Sequence, residues 1–222
     1  MPPNSIGHPY CTRADTARFT GRSYFWLPDG TPRPLYRGHA AADVSLATDQ
    51  TTLPTFTDVE EIASVYAEQQ ERGRVGRYGL SVRDPMLLGD LTEDVATYQN
   101  LETALTVTGK VSAEQFRAWA DRFARWRYDG EWIELTLAEA EGNLNETYSD
   151  TYAIADDAGF LRLALEAGYD GYLYRGTFTA EARFHRPPRE IAASSSYDYE
   201  TASALEARPF YAHQIKATPE GG

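Results

Sequence analysis

The sequence predicts an α+β fold, and three observations predict it. Short β-prone runs bounded by Gly, Pro and Asp lie toward both ends of the chain. A strand-to-helix block stands at Leu53 to Gln69, and helical patterns dominate residues 91 to 167. Residues 1 to 22 read as an arm and 217 to 222 as a tail, leaving 23 to 216 as one domain with a helical insertion at about 91 to 167.

Ser23 to Gly38 reads as a hairpin, with aromatic β-prone residues, a Pro-Asp-Gly turn and a second strand ending in Tyr36-Arg37-Gly38-His39. Gly38 would allow close backbone approach of a ligand, and Arg37 carries a fork of donors suited to phosphate or ribose oxygens. Residues 40 to 52 are small and polar, as in a loop.

Leu53 to Phe56 is β-prone, and Thr57 or Asp58 can cap the helix that follows, with Glu60 and Glu61 at capping-box spacing from them. Val59, Ile62, Ala63 and Tyr66 recur with helical period and give that helix one buried face, ending near Gly73. Arg77 to Leu88 reads as a strand stopped by Asp84-Pro85. Within the insertion, Val111 to Trp126 is expected to be a helix capped by Ser112 and Gln115. Its aromatic stripe (Phe116, Trp119, Phe123, Trp126) suits a core, and helix continues at Leu135 to Glu141 and Asp156 to Ala167. Gly168 to Gly176 is a turn and a strand, and residues 177 to 203 a long Ser- and Tyr-rich loop.

Composition narrows the function classes. The 222 residues carry a net charge of -12, which argues against an extended nucleic-acid-binding face. Cys11 is the sole cysteine, so neither an intrachain disulfide nor a cysteine-based zinc site is available. No apolar run approaches the roughly 20 residues of a membrane span. A cytoplasmic protein without a membrane partner or metal is therefore expected, and a chain delivered into another cell would read the same way.

Four segments in order resemble the ADP-ribosyltransferase fold, in particular the group found in phage and mobile-element polyvalent proteins. They are Tyr36-Arg37-Gly38; the Phe56-Thr57-Asp58 block with Ala63, Ser64, Tyr66 and Ala67; Gly168-Tyr-Asp-Gly171; and Glu206-x-x-x-Phe210-x-x-x-Gln214-Ile215-Lys216. The resemblance implies two small, mainly antiparallel sheets split around an NAD cleft. It implies NAD as substrate, with Tyr36, Arg37, Gly38, Thr55, Phe56, Thr57 and Tyr66 lining its site. Tyr66 would stack on nicotinamide, the Gly38 backbone would clamp the carboxamide, and Thr55 or Thr57 would hold the catalytic glutamate. That glutamate is Glu206 or, off the family's register by one, Glu181. The chain departs from the family's histidine branch by Arg37 and from its strand tyrosine by threonine.

Breaking the nicotinamide–ribose bond develops positive charge on the ribose, which a fixed carboxylate stabilises more than it does ground-state NAD. Three readings follow. The first is a mono-ADP-ribosyltransferase acting on a protein or nucleic acid, in the setting of a toxin or phage effector. The second is an NAD glycohydrolase, and the third an inactive binding module on the same fold. Arginine-specific members carry an acidic or amide residue two positions before the glutamate, where this chain has Ala204 (or Thr179). Arginine is therefore not the expected acceptor. A monomer is the working expectation. No G-x-G-x-x-G occurs, so any NAD is held by a device other than a Rossmann loop.

Overall fold

A computed structural model describes residues 25, 32–40, 53–70, 72–88, 95–128, 131–135, 137–138, 144–179 and 201–218. In chain order its elements are β1 (Leu35–His39), β2 (Phe56–Thr57), α1 (Glu60–Glu68), β3 (Arg74–Leu80), β4 (Pro85–Leu87), β5 (Val95–Thr97), α2 (Tyr98–Thr106), α3 (Ala113–Ala120), β6 (Trp126–Tyr128), β7 (Glu131–Leu135), β8 (Tyr148–Asp150), α4 (Thr151–Ala155), α5 (Ala158–Ala167), β9 (Gly171–Thr179), β10 (Thr201–Pro209) and β11 (Ile215–Ala217). The fold is α+β, with both parallel and antiparallel strand pairs. The chain divides into two compact units, Met1–Arg83 with Gly176–Gly222, and Asp84–Arg175.

In the first unit the strands lie in the order β11-β3-β1-β2-β10, with antiparallel pairing throughout. Leu35 and Phe56 are fully buried, and the Phe56 ring meets Tyr78 edge-on at 5.1 Å. On the opposite face α1 lies directly on β1 at Gly38. A Cβ there would collide with the main-chain oxygen of Ala63 and the nitrogen of Ala67, so only glycine permits this approach. The space beside Gly38 on that face is therefore taken by the helix and not by a ligand.

The start of α1 differs from the capping expected. Val59 is the N-cap and no side chain caps the helix. The Asp58 carboxylate is drawn instead to Arg33, 2.9 Å away. The Thr57 hydroxyl accepts from the Val59 amide at 3.3 Å, a local turn that competes with capping. The helix ends at Glu68, and the chain reverses through Arg72, whose φ of 54° is left-handed.

The strand expected over Arg77 to Leu88 is two strands. β3 starts three residues earlier and stops at Leu80, while Asp84-Pro85 opens β4 rather than ending a strand. β4 belongs to the second unit and runs parallel to β9, Pro85 facing Gly171. The start of the pair is clasped both ways. The Asp84 amide donates to the Asp170 carboxylate at 2.9 Å, and the Asp170 amide donates to the Asp84 carbonyl at 3.1 Å.

The rest of the second unit contains helices and an antiparallel sheet in the order β5-β8-β6-β7. This corrects the expectation of a purely helical insertion. The helix expected over Val111 to Trp126 stops at Ala120, and the Trp126 indole, now in β6, donates to the Ala120 carbonyl at 2.9 Å. Leu135, expected to start a helix, ends β7. The overlooked signal is in the sequence, where the dipeptide Asp129-Gly130, of a type favoured in two-residue hairpin loops, separates Trp126-Arg-Tyr from Glu131-Trp-Ile-Glu-Leu. The Ser112–Gln115 capping box does form, at 3.1 and 2.8 Å. The aromatic stripe is core, since Tyr98, Phe116, Trp119, Phe123, Trp126 and Phe160 make ring contacts at centroid separations of 4.8–5.8 Å. α5 ends at Gly168, φ 101°, a left-handed cap before the turn into β9.

Replacing Gly38 by Ala should cost about 1–3 kcal/mol, because both obstructing atoms are main chain and the helix itself must move. Urea denaturation of purified wild type and variant measures this as a lower midpoint.

Candidate functional site

Three strands meet at one register row. Tyr36 of β1 stands opposite Thr57 of β2, and Thr57 stands opposite Glu206 of β10. Directly paired residues point to the same face of a sheet, so these three side chains line one face. On the other side of Tyr36 the row continues to Arg77 of β3. Gly38 shares this face, two positions along β1, and turns it toward α1.

The row grades from buried to open. Glu206 is only 1% exposed and Thr57 5%, Tyr36 is half-buried, and Arg77 is exposed. A carboxylate this deep in a sheet is costly unless hydrogen bonds or charges compensate it, which makes it a natural candidate for a functional group. Arg208, two positions beyond Glu206 on β10 and therefore on its face, is likewise buried at 5% exposure.

The next row lies on the opposite face. Ala207 pairs with Phe56, and the Arg37 guanidinium carbon stands 6.0 Å from the Phe56 ring centroid. Gly76 faces Arg37, and the Tyr78 ring fills the space beside Gly76. Arg37 and Phe56 therefore share a face with the Leu35–Tyr78 packing, and Glu206 is on the other side of the sheet. Of the residues singled out from sequence, the structure groups Tyr36, Gly38, Thr57 and Glu206, and separates Arg37 and Phe56 from them. Thr55 is half-buried just before β2, and Tyr66 is half-buried against Ile62 on α1. The main-chain carbonyl carbon of Tyr66 comes within about 3.0 Å of where a Gly38 Cβ would lie. Glu181 falls outside the described residues, as do residues 180–200 of the stretch expected to be a loop over 177 to 203, whose two ends are strand instead, 177–179 in β9 and 201–203 in β10.

Pro209 is the last residue of β10, so it removes no donor from the middle of the ladder. Gln214 has a structural part in the C-terminal motif. Its carbonyl oxygen accepts from the Tyr211 amide at 2.8 Å, its amide donates to the Ser81 carbonyl at 3.1 Å, and its main-chain oxygen accepts from the Ser81 amide at 2.8 Å. This clasp ties the chain leaving β10 to the end of β3. Sequence reasoning passed over Arg77 and Arg208. Strand alternation was the available signal, since Arg208 follows Glu206 by two and Arg37 is out of phase with Gly38.

Among the described residues no group of three or more His, Cys, Asp or Glu side chains could hold a metal ion, and no helix is long and apolar enough to cross a membrane. No family model, curated protein or solved structure matches the chain.

Changing Gln214 to Leu should destabilise the fold by about 1–3 kcal/mol, because the buried Ser81 carbonyl loses its donor and the part-buried Tyr211 amide its acceptor. Thermal unfolding detects the loss, and amide hydrogen exchange should show faster opening at Ser81 and Tyr211.

Proposed function

We propose that the chain is a mono-ADP-ribosyltransferase that cleaves the nicotinamide–ribose bond of NAD and transfers ADP-ribose to a macromolecular acceptor. The observation that carries this reading is the Tyr36–Thr57–Glu206 row, which supplies a buried carboxylate beside a hydroxyl at the centre of a sheet. It adds to the four sequence segments that resemble the family. The family's phage and mobile-element setting makes a toxin or phage effector the matching biological role.

In this reading Glu206 faces the ribose. As the C1′–N bond breaks, nicotinamide leaves with the bonding electron pair and becomes neutral, and positive charge spreads over C1′ and the ring oxygen. The carboxylate stabilises that charge and accepts a hydrogen bond from a ribose hydroxyl. Thr57, directly opposite, holds the carboxylate in place. The acceptor nucleophile then bonds to C1′ and gives its proton to solvent water, so that nicotinamide, the ADP-ribosylated acceptor and one proton are the products. Tyr66 supplies the aromatic shelf. Because α1 fills the space beside Gly38 on its own face, a carboxamide clamp there uses Gly38 main-chain groups.

One observation favours a second reading. Arg37 lies across the sheet from Glu206, so the cation implied for this site is not on its face. An inactive binding module would need no such cation.

Nicotinamide release from NAD by purified protein, alone and with bacterial lysate, tests the proposal. Glu206→Gln should lower release about 100-fold or more, as loss of a preorganised electrostatic group does. Glu181→Gln should leave release within a few-fold. Label carried from NAD to macromolecules supports transfer, and label found only as free ADP-ribose makes the protein a glycohydrolase. Absence of both release and NAD binding would leave the inactive module.

A further inference from the structure

Arg77 is the exposed end of the row that buries Glu206. It stands opposite Tyr36, which stands opposite Thr57, which stands opposite Glu206, so all four side chains share one face. Three interstrand steps of about 4.8 Å separate β3 from β10, about 14 Å in all. An extended arginine side chain and the ribose-phosphate arm of a dinucleotide can close that span together. The Arg77 guanidinium has no hydrogen bond or ion pair among the described residues, so its five donors are available to a ligand. Lys216 of β11 is exposed opposite Gly79, two positions from Arg77, and so adds a second cation to the same face. Exposed cations on the same face as a buried carboxylate are notable in a chain of net charge -12, which has lysine only at 110 and 216.

Arg37 cannot serve that face. Its side chain is on the Phe56 side of the sheet. Arg208 shares the face with Glu206 but is buried to 5% exposure. Arg77 combines the correct face with solvent access.

Resting on the transferase reading above, we propose that Arg77, assisted by Lys216, binds the pyrophosphate of NAD while Glu206 faces the nicotinamide ribose. The guanidinium fork suits a phosphoanhydride, whose oxygens accept paired hydrogen bonds.

Calorimetric titration with NAD tests this on wild type, Arg77→Gln, Arg77→Lys, Lys216→Gln and Arg74→Gln. Arg74 is an exposed arginine on the same strand, opposite His39 and out of phase with Arg77, and serves as control. Arg77→Gln should weaken NAD about 10- to 100-fold, as expected for a lost charge-assisted pair. Arg77→Lys should recover part of the loss, Lys216→Gln should give a smaller one, and Arg74→Gln should bind as wild type. Thermal unfolding should be unchanged in the Arg77 and Arg74 variants, which separates ligand loss from misfolding. NAD binding that persists undiminished in Arg77→Gln would overturn the assignment and leave the transferase reading standing. Failure of wild type to bind NAD would overturn both.

Discussion

The structure of the first unit depends on the pairing of a two-residue strand. β2 contributes only Phe56 and Thr57, yet it joins β1 to β10 and so decides which residues of those strands share a face. With this register Phe56 enters the apolar side, against Tyr78 and Ala207, while Thr57 enters the polar side between Tyr36 and Glu206. A slip of one residue would exchange the two sides, moving Glu206 into the Phe56 layer and bringing Ala207 beside Thr57. The penalty for burying a carboxylate against aromatic rings opposes that slip.

The other contacts of the unit reinforce the same arrangement. Glycine at position 38 lets α1 settle onto β1 through main-chain contact, which fixes the helix bearing Tyr66 on the polar face. Gln214 holds the turn after β10 to the end of β3 by two hydrogen bonds with Ser81 and closes the turn on itself by a third from Tyr211, so the strand carrying Glu206 and the strand carrying Arg77 are tied at one end. The proposed chemistry thus draws on strands distant in sequence and held by short pairings.

Much of this was legible in the sequence, and the exceptions have physical causes. Helical period located α1 and α5, and the Ser112–Gln115 box located the start of α3, because capping and amphipathicity are local properties. The end of α3 was not legible. Trp126 keeps the helical spacing of Phe116 and Trp119, but it reaches the same aromatic core from a strand. At the start of α1, Asp58 had a suitable capping side chain and was taken by Arg33, a tertiary partner that no local pattern reveals. Tyr36, Gly38, Thr57 and Glu206 could be proposed from motifs. Their division from Arg37 needed the strand register, since adjacent residues in a strand face opposite ways.

The most direct test is a disulfide trap of the central row. With Cys11 changed to Ser, Thr57→Cys with Glu206→Cys should crosslink under mild oxidation, because directly opposed antiparallel residues have Cα atoms about 4.5–5.5 Å apart, within disulfide range. Thr57→Cys with Ala207→Cys should not. Preferential crosslinking of the second pair would mean that Glu206 faces the Phe56 layer, and the site described above would not exist.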